Sequence, residues 1–401
     1  MNRYKSGVTA PLGFAAAGIH CGIKKSGLLD LALLLSATSG PIAGVFTKNR
    51  VAAAPVTLDR LHLRRHRGRA VVVNSGNANA CTGAPGLAAA RAMASAVAQS
   101  LSIPVHEVFV GSTGVIGRVL PIDRIKAGIP SLISQLSVRG GRRAAQAILT
   151  TDLRPKTVAV RAKIGTRLVT IGGMAKGSGM IHPNMATMLA YLTTDAVITP
   201  SALQQALRSA VDQSFNCITV DGDTSTNDTV LCLANGMAQN RSIREGTHDY
   251  RCFEQLLMKA SQALALAICR DGEGVTKIVK IVVTGAATVT AAKRVASTIA
   301  TSNLVKTALF GEDANWGRVM GAIGRSGVPI DPDKLSVRFD KIVMVRKGMG
   351  VGLAAEDKIA RVFKRKTFTI SVDLEQGPAC AHMWTTDLSY DYVRINASYR
   401  S

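Results

Sequence analysis

A threonine next to a loop of small residues is the first candidate for chemistry in this sequence. Thr187 follows the small residue Ala186 and begins an apolar run, and segment 172–182 before it carries four glycines and the cation Lys176. Glycine lets a backbone approach a ligand closely, and a hydroxyl becomes a nucleophile when a base lies beside it. The same pattern also fits a core threonine that only forms a hydrogen bond, so the local sequence leaves the role of Thr187 open.

Two further loops of small and amide residues could assist such a nucleophile. Segment 74–83 holds three asparagines directly after an apolar strand pattern, and segment 111–117 reads Gly-Ser-Thr-Gly-Val-Ile-Gly. Backbone N–H groups and amides in such loops can stabilise a developing oxyanion. Turns rich in glycine and asparagine are also common as purely structural features, so each loop remains ambiguous by itself.

Other familiar site patterns are missing from the sequence. It contains no G-x-x-x-x-G-K-[ST], H-E-x-x-H or G-x-S-x-G motif, and its seven cysteines form no C-x-x-C pair. Segment 221–227 begins like a calcium loop but lacks the glycine at its sixth position and the closing acid. We therefore expect no nucleotide-binding P-loop, no disulfide framework and no bound metal.

The charge and length of the chain limit its partners. The formal charge is +23 over 401 residues, which attracts anionic metabolites and polyanions. The densest basic run, 60–69, has no aromatic residue to stack on bases, so nucleic acid is not expected as a partner. No apolar run reaches the roughly 18 residues needed to span a bilayer, and no signal-peptide pattern is present. We expect a cytoplasmic protein that does not bind membranes.

Short apolar runs alternate with alanine-rich stretches, and this predicts a mixed α/β chain. Strand–loop–helix units of this kind place their loops at strand ends, where open sheets usually bind ligands. A composition shift near residue 275 marks a possible subdomain boundary. The pattern predicts strands at 70–73 and 108–110, a turn at 111–114, a hairpin over 158–171, a glycine-rich loop at 172–183, and helices at 87–99, 201–212 and 253–269.

Segments spread in order over the whole chain resemble one known family. They include Gly7–Phe14, the Asn74 loop, Ser112–Gly117, Thr150–Asp152, Ala175–Met180, Met185–Leu189, Val220–Asp228, Asp271–Gly274, Gly311–Arg318 and Asn396–Ser401. The family is that of the ornithine acetyltransferases (glutamate N-acetyltransferases) of arginine biosynthesis. The resemblance implies an α/β (α+β) fold, an N-terminal-nucleophile-like layered sandwich with a smaller C-terminal α/β part.

The resemblance also implies self-cleavage and assigns the site. Members of the family are made as one precursor that is cut before a threonine, which here gives an α chain, 1–186, and a β chain, 187–401. The cleavage site is Ala186/Thr187, and Thr187 becomes the nucleophile. Thr113 and Gly114 would form the oxyanion hole, and the residues at the substrate would be Thr150, Lys176, Thr187, Glu273, Asn396 and Ser401.

The implied reaction moves an acetyl group from N2-acetyl-L-ornithine to L-glutamate through an acetyl-Thr187 intermediate. The freed α-amine of Thr187 would act as the base, because such amines titrate near pH 8. No cofactor is needed, since the hydroxyl carries the acetyl group, and acetyl-CoA is left open as a second donor. The cleaved chains would assemble as a heterotetramer of two α and two β chains.

Other interpretations remain open at this stage. An N-terminal-nucleophile aminopeptidase or amidase would use the same chemistry but pass the acyl group to water. A basic nucleic-acid-binding protein would explain the charge without any reaction. Taken without the family, Lys176 and Glu273 fit ordinary surface charges.

Overall fold

Two β-sheets organise the protein. The structure, a computed structural model, describes residues 7–25, 27–182 and 188–398. The first sheet contains β1 (Phe14–Ile19), β2 (Leu31–Phe46), β3 (Arg67–Asn77), β4 (Val108–Val115), β5 (Lys156–Ile164), β6 (Arg167–Lys176), β7 (Leu189–Thr194) and β8 (Thr229–Ala234). The second contains β9 (Ile278–Ala286), β10 (Ser336–Phe339), β11 (Ile342–Arg346), β12 (Met349–Gly350), β13 (Thr367–Asp373) and β14 (Ala379–Thr386).

Eleven helices of the described ranges cover these sheets. Several begin at a residue that caps the first turn: the Thr199 hydroxyl accepts the N–H of Ala202 before Pro200 starts α5. No helix in these ranges combines the length and apolar character that crossing a membrane requires. The helices are α1 (Ala54–Leu63), α2 (Gly83–Leu101), α3 (Ile122–Ser134), α4 (Gly141–Ala147), α5 (Pro200–Asp212), α6 (His248–Arg270), α7 (Val289–Ala300), α8 (Asn303–Phe310), α9 (Trp316–Gly324), α10 (Leu353–Phe363) and α11 (Tyr390–Ser398).

The apolar run in β3 is continuous because the strand is buried on both faces. Ala70 and Val72 point into a core shared with α2 and α3. Val71 and Val73 point into a second core on the opposite face of the strand. One strand therefore belongs to two hydrophobic layers, as its alternating side chains require.

The second of these cores joins two halves of the first sheet face to face. Besides Val71 and Val73 it contains Leu189 and Tyr191 of β7, whereas Ala190 and Leu192 of β7 face a third core against α5 and α6. The order of the layers is helices, half-sheet, half-sheet, helices. The predicted mixed α/β class is confirmed, and the observed layers form a sandwich.

The long strand β2 connects the two halves. Its first part pairs with β3, and its second part pairs with β8 after a break in register between Leu35 and Gly40. The strand order across the sheet is β4-β3-β2-β8-β7-β6-β5, with β1 paired to β2.

The second sheet lies after α6 in the chain. Its order is β12-β11-β10-β13-β9-β14, and α7, α9 and α10 pack on one of its faces. The two parts of the chain are joined by contacts such as the Thr219 N–H donating to the Trp384 carbonyl at 2.8 Å. The change of sheet falls between Arg270 and Ile278, while the boundary near 275 as a division between subdomains stays a prediction.

Two expectations about glycine-rich segments are wrong. Residues 111–114 are not a turn, because β4 continues through them to Val115, and residues 172–176 are part of β6. These glycines allow close packing inside strands. A Cβ on Gly111 would lie 2.1 Å from the Tyr191 hydroxyl, and one on Gly172 would lie 2.2 Å from the Gly7 carbonyl oxygen.

An ionisable pair lies in the core between β4 and β7. Asp59 on α1 is 0% exposed, and its Oδ1 accepts the N–H of Val110 at 2.8 Å. Its Oδ2 and the nearby Tyr191 hydroxyl have no hydrogen-bond partner among the described residues. Burial raises the pKa of Asp59 well above its usual range. The folded protein therefore favours the protonated, neutral carboxyl.

This burial predicts a pH dependence of stability. The unfolded chain loses the Asp59 proton above about pH 4, whereas the folded protein retains it. The resulting stability is complete below that pH and falls by about 1.4 kcal/mol per pH unit as the pH rises towards the folded-state pKa. Asp59→Asn cannot titrate, so its melting temperature should rise relative to that of the wild type between pH 5 and pH 7.5. Asp357→Asn, at an exposed position, is the control, and a pH-independent difference for Asp59→Asn would contradict the prediction.

Candidate active site

A cavity of about 90 Å³ lies where the ends of β4 and β6 meet the loop that follows α6. It brings together Thr113, Gly114, Thr150, Lys176, Glu273 and Asn396, six of the residues that the sequence predicted for the site. The predicted residues Ala186, Thr187 and Ser401 lie outside the described residues. The remaining lining residues are Ala78, Ile116, Thr151, Gly179, Met180, Ser225 and Asn227.

Parallel pairing of β3 and β4 places Thr113 and Gly114 at the cavity. Ser75 pairs with Thr113 and Gly76 with Gly114 in the ladder. Gly114 has φ +129°, and a Cβ there would lie 2.4 Å from the carbonyl carbon of Gly76. Only glycine fits this position, because any side chain would push the two strands apart.

The asparagine loop has a structural role in this arrangement. Asn74 is fully buried, and its amide donates to the Asn77 carbonyl at 2.9 Å while its oxygen accepts the Ser112 hydroxyl at 2.6 Å. The Asn227 amide donates to the carbonyls of Ala78 and Ser112 at 2.7 and 2.8 Å. Asn74 therefore fixes strand ends, and of its loop only Ala78 lines the cavity.

Lys176 ends β6 inside the protein. Its side chain donates to the Thr113 hydroxyl at 3.1 Å, and the residue is 4% exposed. Burial lowers the pKa of this lysine, and the negative charge of Asp152 opposes that shift. Lys176 forms no ion pair with another described residue. The interpretation of Lys176 as a surface charge is therefore wrong.

Glu273 provides the opposite charge. It is 8% exposed, and its Oε2 accepts the amide N–H of Asn396 at 2.9 Å. A Cβ on Gly179 would lie 2.3 Å from the same oxygen, so Gly179 makes room for the carboxylate. Within the described ranges Glu273 also has no ion-pair partner. The cavity thus presents one basic and one acidic side chain, neither of which forms an ion pair with a described residue.

Three buried charges fix the walls of the cavity. The Lys156 ammonium lies 2.6 Å from Asp152 Oδ1 and 2.6 Å from Asp271 Oδ2, and the three side chains are 2%, 0% and 8% exposed. Burial alone would raise the pKa of Asp152, but Lys176 and Lys156 lower it to about 2. Asp152 therefore stays ionised throughout the physiological range.

The same carboxylates hold the backbone of the wall segments. Asp152 accepts the N–H groups of Thr150 and Gly177, at 3.1 and 2.7 Å. The Asp271 carboxylate accepts the N–H groups of Leu153 and Arg154, at 3.0 and 3.2 Å, and its backbone carbonyl, two residues before Glu273, accepts the Ser178 hydroxyl at 2.6 Å. The positions of three predicted site residues, Thr150, Lys176 and Glu273, thus depend on one ion cluster. Lys156 was not among the predicted site residues, because it lies at the start of a strand and outside any recognisable motif.

The whole-chain resemblance is supported by direct comparison. A model of the ArgJ family matches residues 15–401. The chain belongs to the ArgJ family. The arginine biosynthesis bifunctional protein ArgJ of Symbiobacterium thermophilum is 51% identical over 397 residues, covering 98% of each chain. The protein of the same name from Geobacter sulfurreducens is 49% identical over 389 residues, covering 97% of this chain and 99% of its own.

A solved ArgJ structure agrees with the fold. The crystal structure of the arginine biosynthesis bifunctional protein ArgJ from Bacillus halodurans is 43% identical and superposes with a TM-score of 0.50. The match covers 98% of that chain and 52% of this one. The resemblance to this family inferred from the sequence segments is therefore confirmed. In the described part of the chain, no group of three or more His, Cys, Asp or Glu side chains is arranged to hold a metal ion.

The buried ion cluster predicts a large stability effect. Lys156→Met leaves Asp152 and Asp271 buried together without their cation, which typically costs about 3–5 kcal/mol. The melting temperature should therefore fall by at least several degrees. Lys334→Met is the matched control, because Lys334 is exposed and lies 3.6 Å from Asp331. Such surface pairs contribute about 1 kcal/mol or less. Equal melting temperatures for the two variants would contradict the role of the cluster.

Proposed function

We propose that the chain is a self-cleaving acetyltransferase of arginine biosynthesis, which transfers acetyl from N2-acetyl-L-ornithine to L-glutamate through an acetyl-Thr187 intermediate. The observation that carries this proposal is the pair of buried, opposite and unpaired charges, Lys176 and Glu273, in one cavity. Amino-acid substrates carry both a carboxylate and an ammonium group. A carboxylate is stabilised beside Lys176, and the side-chain ammonium of acetylornithine beside Glu273.

In the first half-reaction the Thr187 hydroxyl attacks the acetyl carbonyl of acetylornithine. The new C–O bond forms as the hydroxyl proton passes to the α-amine of Thr187. The negative charge on the carbonyl oxygen is stabilised at Thr113 and Gly114. The C–N bond then breaks, the proton returns to the departing nitrogen, and ornithine leaves.

In the second half-reaction the α-amine of glutamate attacks the acetyl-Thr187 ester. The C–O bond breaks, the threonine hydroxyl regains its proton, and N-acetylglutamate is released. The hydroxyl carries the acyl group throughout, so the proposed reaction uses no cofactor. Acetyl-CoA, as a second donor, would acetylate the Thr187 hydroxyl and give the same ester, with release of coenzyme A.

Self-cleavage supplies the base for both half-reactions. The Thr187 hydroxyl attacks the Ala186 carbonyl, the acyl group moves from nitrogen to oxygen, and water hydrolyses the ester. The α-amine that is released titrates near pH 8, so part of it is neutral and accepts a proton at neutral pH. The half-length of the Bacillus halodurans chain relative to this one agrees with a cut near the middle of the precursor.

Asp228 supports a role for this amine. The residue is 0% exposed, and its Oδ1 accepts the N–H of Met188, the residue after Thr187, at 3.1 Å. Its Oδ2 accepts no hydrogen bond from the described residues. Burial raises the pKa of Asp228 well above its usual range, and a neighbouring ammonium would lower it again. We propose Asp228 as the partner of the new N-terminus.

The assembly and location of the protein are further parts of the proposal. The α and β chains form a heterotetramer of two copies each, as the family resemblance implies. A biosynthetic enzyme of this kind works in the cytoplasm on small-molecule substrates. Size-exclusion chromatography with light scattering distinguishes the heterotetramer from a single α–β pair.

Denaturing gel electrophoresis with mass analysis tests the cleavage. The wild-type chain of 42.2 kDa should give two fragments that meet between Ala186 and Thr187. Thr187→Ala should remain one chain and transfer no acetyl group, because it has neither nucleophile nor free amine. An intact wild-type chain that still transfers acetyl would contradict the mechanism.

Gly114 tests the oxyanion site. Gly114→Ala places a Cβ 2.4 Å from the Gly76 backbone and displaces the N–H donors, so kcat should fall by about 10²–10³. Gly117→Ala is the control, since Gly117 also has a positive φ, +77°, but has open space around it. This variant should keep kcat within a few-fold of the wild type. The proposal fails at this point if both variants lose the same fraction of activity.

The substrate assay separates the acetyltransferase from its hydrolytic alternative. Acetyl transfer from acetylornithine to glutamate should exceed hydrolysis of acetylornithine and of short peptides. Release of acetate or amino acids at the higher rate would identify an aminopeptidase or amidase instead.

A further inference from the structure

Asp221 fixes the backbone on one side of the cavity. Its Oδ2 accepts the N–H of Met180 at 2.5 Å, and its Oδ1 accepts the N–H of Ile181 at 2.8 Å. Met180 lines the cavity and has φ +57°, a left-handed conformation that non-glycine residues rarely adopt. The two hydrogen bonds hold this conformation in place.

The same carboxylate contacts the opposite wall. The Tyr392 hydroxyl on α11 donates to Asp221 Oδ2 at 3.3 Å. One turn along α11, Asn396 donates both to the Tyr392 carbonyl, at 3.0 Å, and to Glu273, at 2.9 Å. The helix also packs closely on the loop that carries Glu273, since a Cβ on Gly274 would lie 2.4 Å from the Tyr392 nitrogen.

We infer that Asp221 is a positioning residue that joins the Met180–Ile181 backbone to α11 and so sets the distance between the two walls of the substrate cavity. The inference rests on the proposed function, and it assigns to Asp221 a role through Met180, Tyr392 and Asn396 rather than through contact with the reacting atoms. Loss of the Tyr392 bond should move α11, and with it Asn396 and Glu273. Loss of the Met180 and Ile181 bonds should move the chain that leads to the scissile bond.

Asp221 is mainly ionised at the working pH, although its burial opposes ionisation. Burial raises its pKa to about 6. The N–H groups of Met180, Ile181 and Asp223 oppose this shift by donating to the carboxylate, and the negative charge of Asp223 adds to it. Lys306 on α8 is buried nearby, and burial lowers its pKa to about 8 while Asp221 opposes that shift. Above about pH 6.5 the carboxylate is mainly ionised, and a charged acceptor makes the stronger hydrogen bonds.

The loop that carries Asp221 contacts the chain both before and after the proposed scissile bond, Ala186–Thr187. Ile181 is held by Asp221, and its carbonyl accepts the Val220 N–H at 2.8 Å. Met188 is held by Asp228 at 3.1 Å. Carboxylates seven positions apart in one loop therefore anchor the chain before and after the Ala186–Thr187 bond. This arrangement predicts that Asp221 affects the rate of cleavage as well as substrate binding.

Two variants separate these effects. Tyr392→Phe removes only the bond to α11, and Asp221→Asn removes the charge and places an NH₂ group where an acceptor is needed. Tyr250→Phe is the matched tyrosine control, because Tyr250 donates to Glu254 on α6 at the same distance, 3.3 Å. Asp223→Asn is the aspartate control, since Asp223 is exposed on the same loop. Cleavage is followed on gels, and KM and kcat are measured on fully cleaved protein at pH 7.5.

Tyr392→Phe should raise KM for acetylornithine about three- to tenfold. Its kcat and cleavage rate should stay within about twofold of the wild type, and its melting temperature within a few degrees. Asp221→Asn should slow cleavage at least tenfold and raise KM by more than Tyr392→Phe does. Both controls should match the wild type in all four measurements.

Unchanged KM in Tyr392→Phe would overturn the inference, as would wild-type cleavage in Asp221→Asn. A fall in kcat and in melting temperature that accompanies the rise in KM of Tyr392→Phe would also overturn it, because that pattern indicates general destabilisation. If Asp221→Asn does not fold, Tyr392→Phe alone decides. Failure of the proposed function is distinguishable: the wild type would then transfer no acetyl, whatever the gels report for the variants.

Discussion

The ammonium group of Lys156, held between the carboxylates of Asp152 and Asp271 at 2.6 Å from each, is the contact on which the cavity depends. It joins the loop after α4, the end of β6 and the loop after α6, which are far apart in the chain. Removing three charges from water is costly. The cluster offsets that cost only because both carboxylates also accept backbone N–H groups: Asp152 those of Thr150 and Gly177, and Asp271 those of Leu153 and Arg154. Of these four residues Thr150 lines the cavity, and Gly177 follows the lining residue Lys176. The same interactions therefore determine the geometry of the site and contribute to the stability of the fold.

Local sequence patterns predicted the regular elements better than the glycine-rich segments. Helix periodicity predicted α5 and α6, and the break in the strand pattern at Gly165 predicted the turn of the hairpin formed by β5 and β6. Gly111 indicated a turn and Gly172 a loop, but both lie inside strands where a neighbouring side chain or backbone leaves no room for a Cβ. Local composition cannot distinguish these cases, because the crowding atoms come from β7 and from the N-terminal segment.

The positioning residues were also beyond local prediction. Lys156 and Asp221 act through partners 115 and about 40 residues away. Asp221 begins the segment that resembles a calcium loop, but that pattern does not predict its hydrogen bonds to Met180 and Ile181. The six predicted residues that line the cavity came from the family resemblance instead, since Lys176 and Glu273 read in isolation as surface charges. Their burial without an ion-pair partner among the described residues is unfavourable, and the proposed zwitterionic substrate would relieve it. Part of the free energy of substrate binding would then come from relieving an unfavourable arrangement in the free protein.

The strand order gives a cut before Thr187 an unusual consequence. Strands β1–β6 would belong to one fragment and β7 and β8 to the other, yet β8 pairs with β2 and β7 pairs with β6. The parallel pair β7–β8 of the second fragment lies between two groups of strands of the first, with a backbone ladder on each side. The fragments could not exchange partners or separate on dilution, because parting them means dismantling the sheet. Two polypeptides would then behave as one molecule in every respect except for the extra chain end that the chemistry requires.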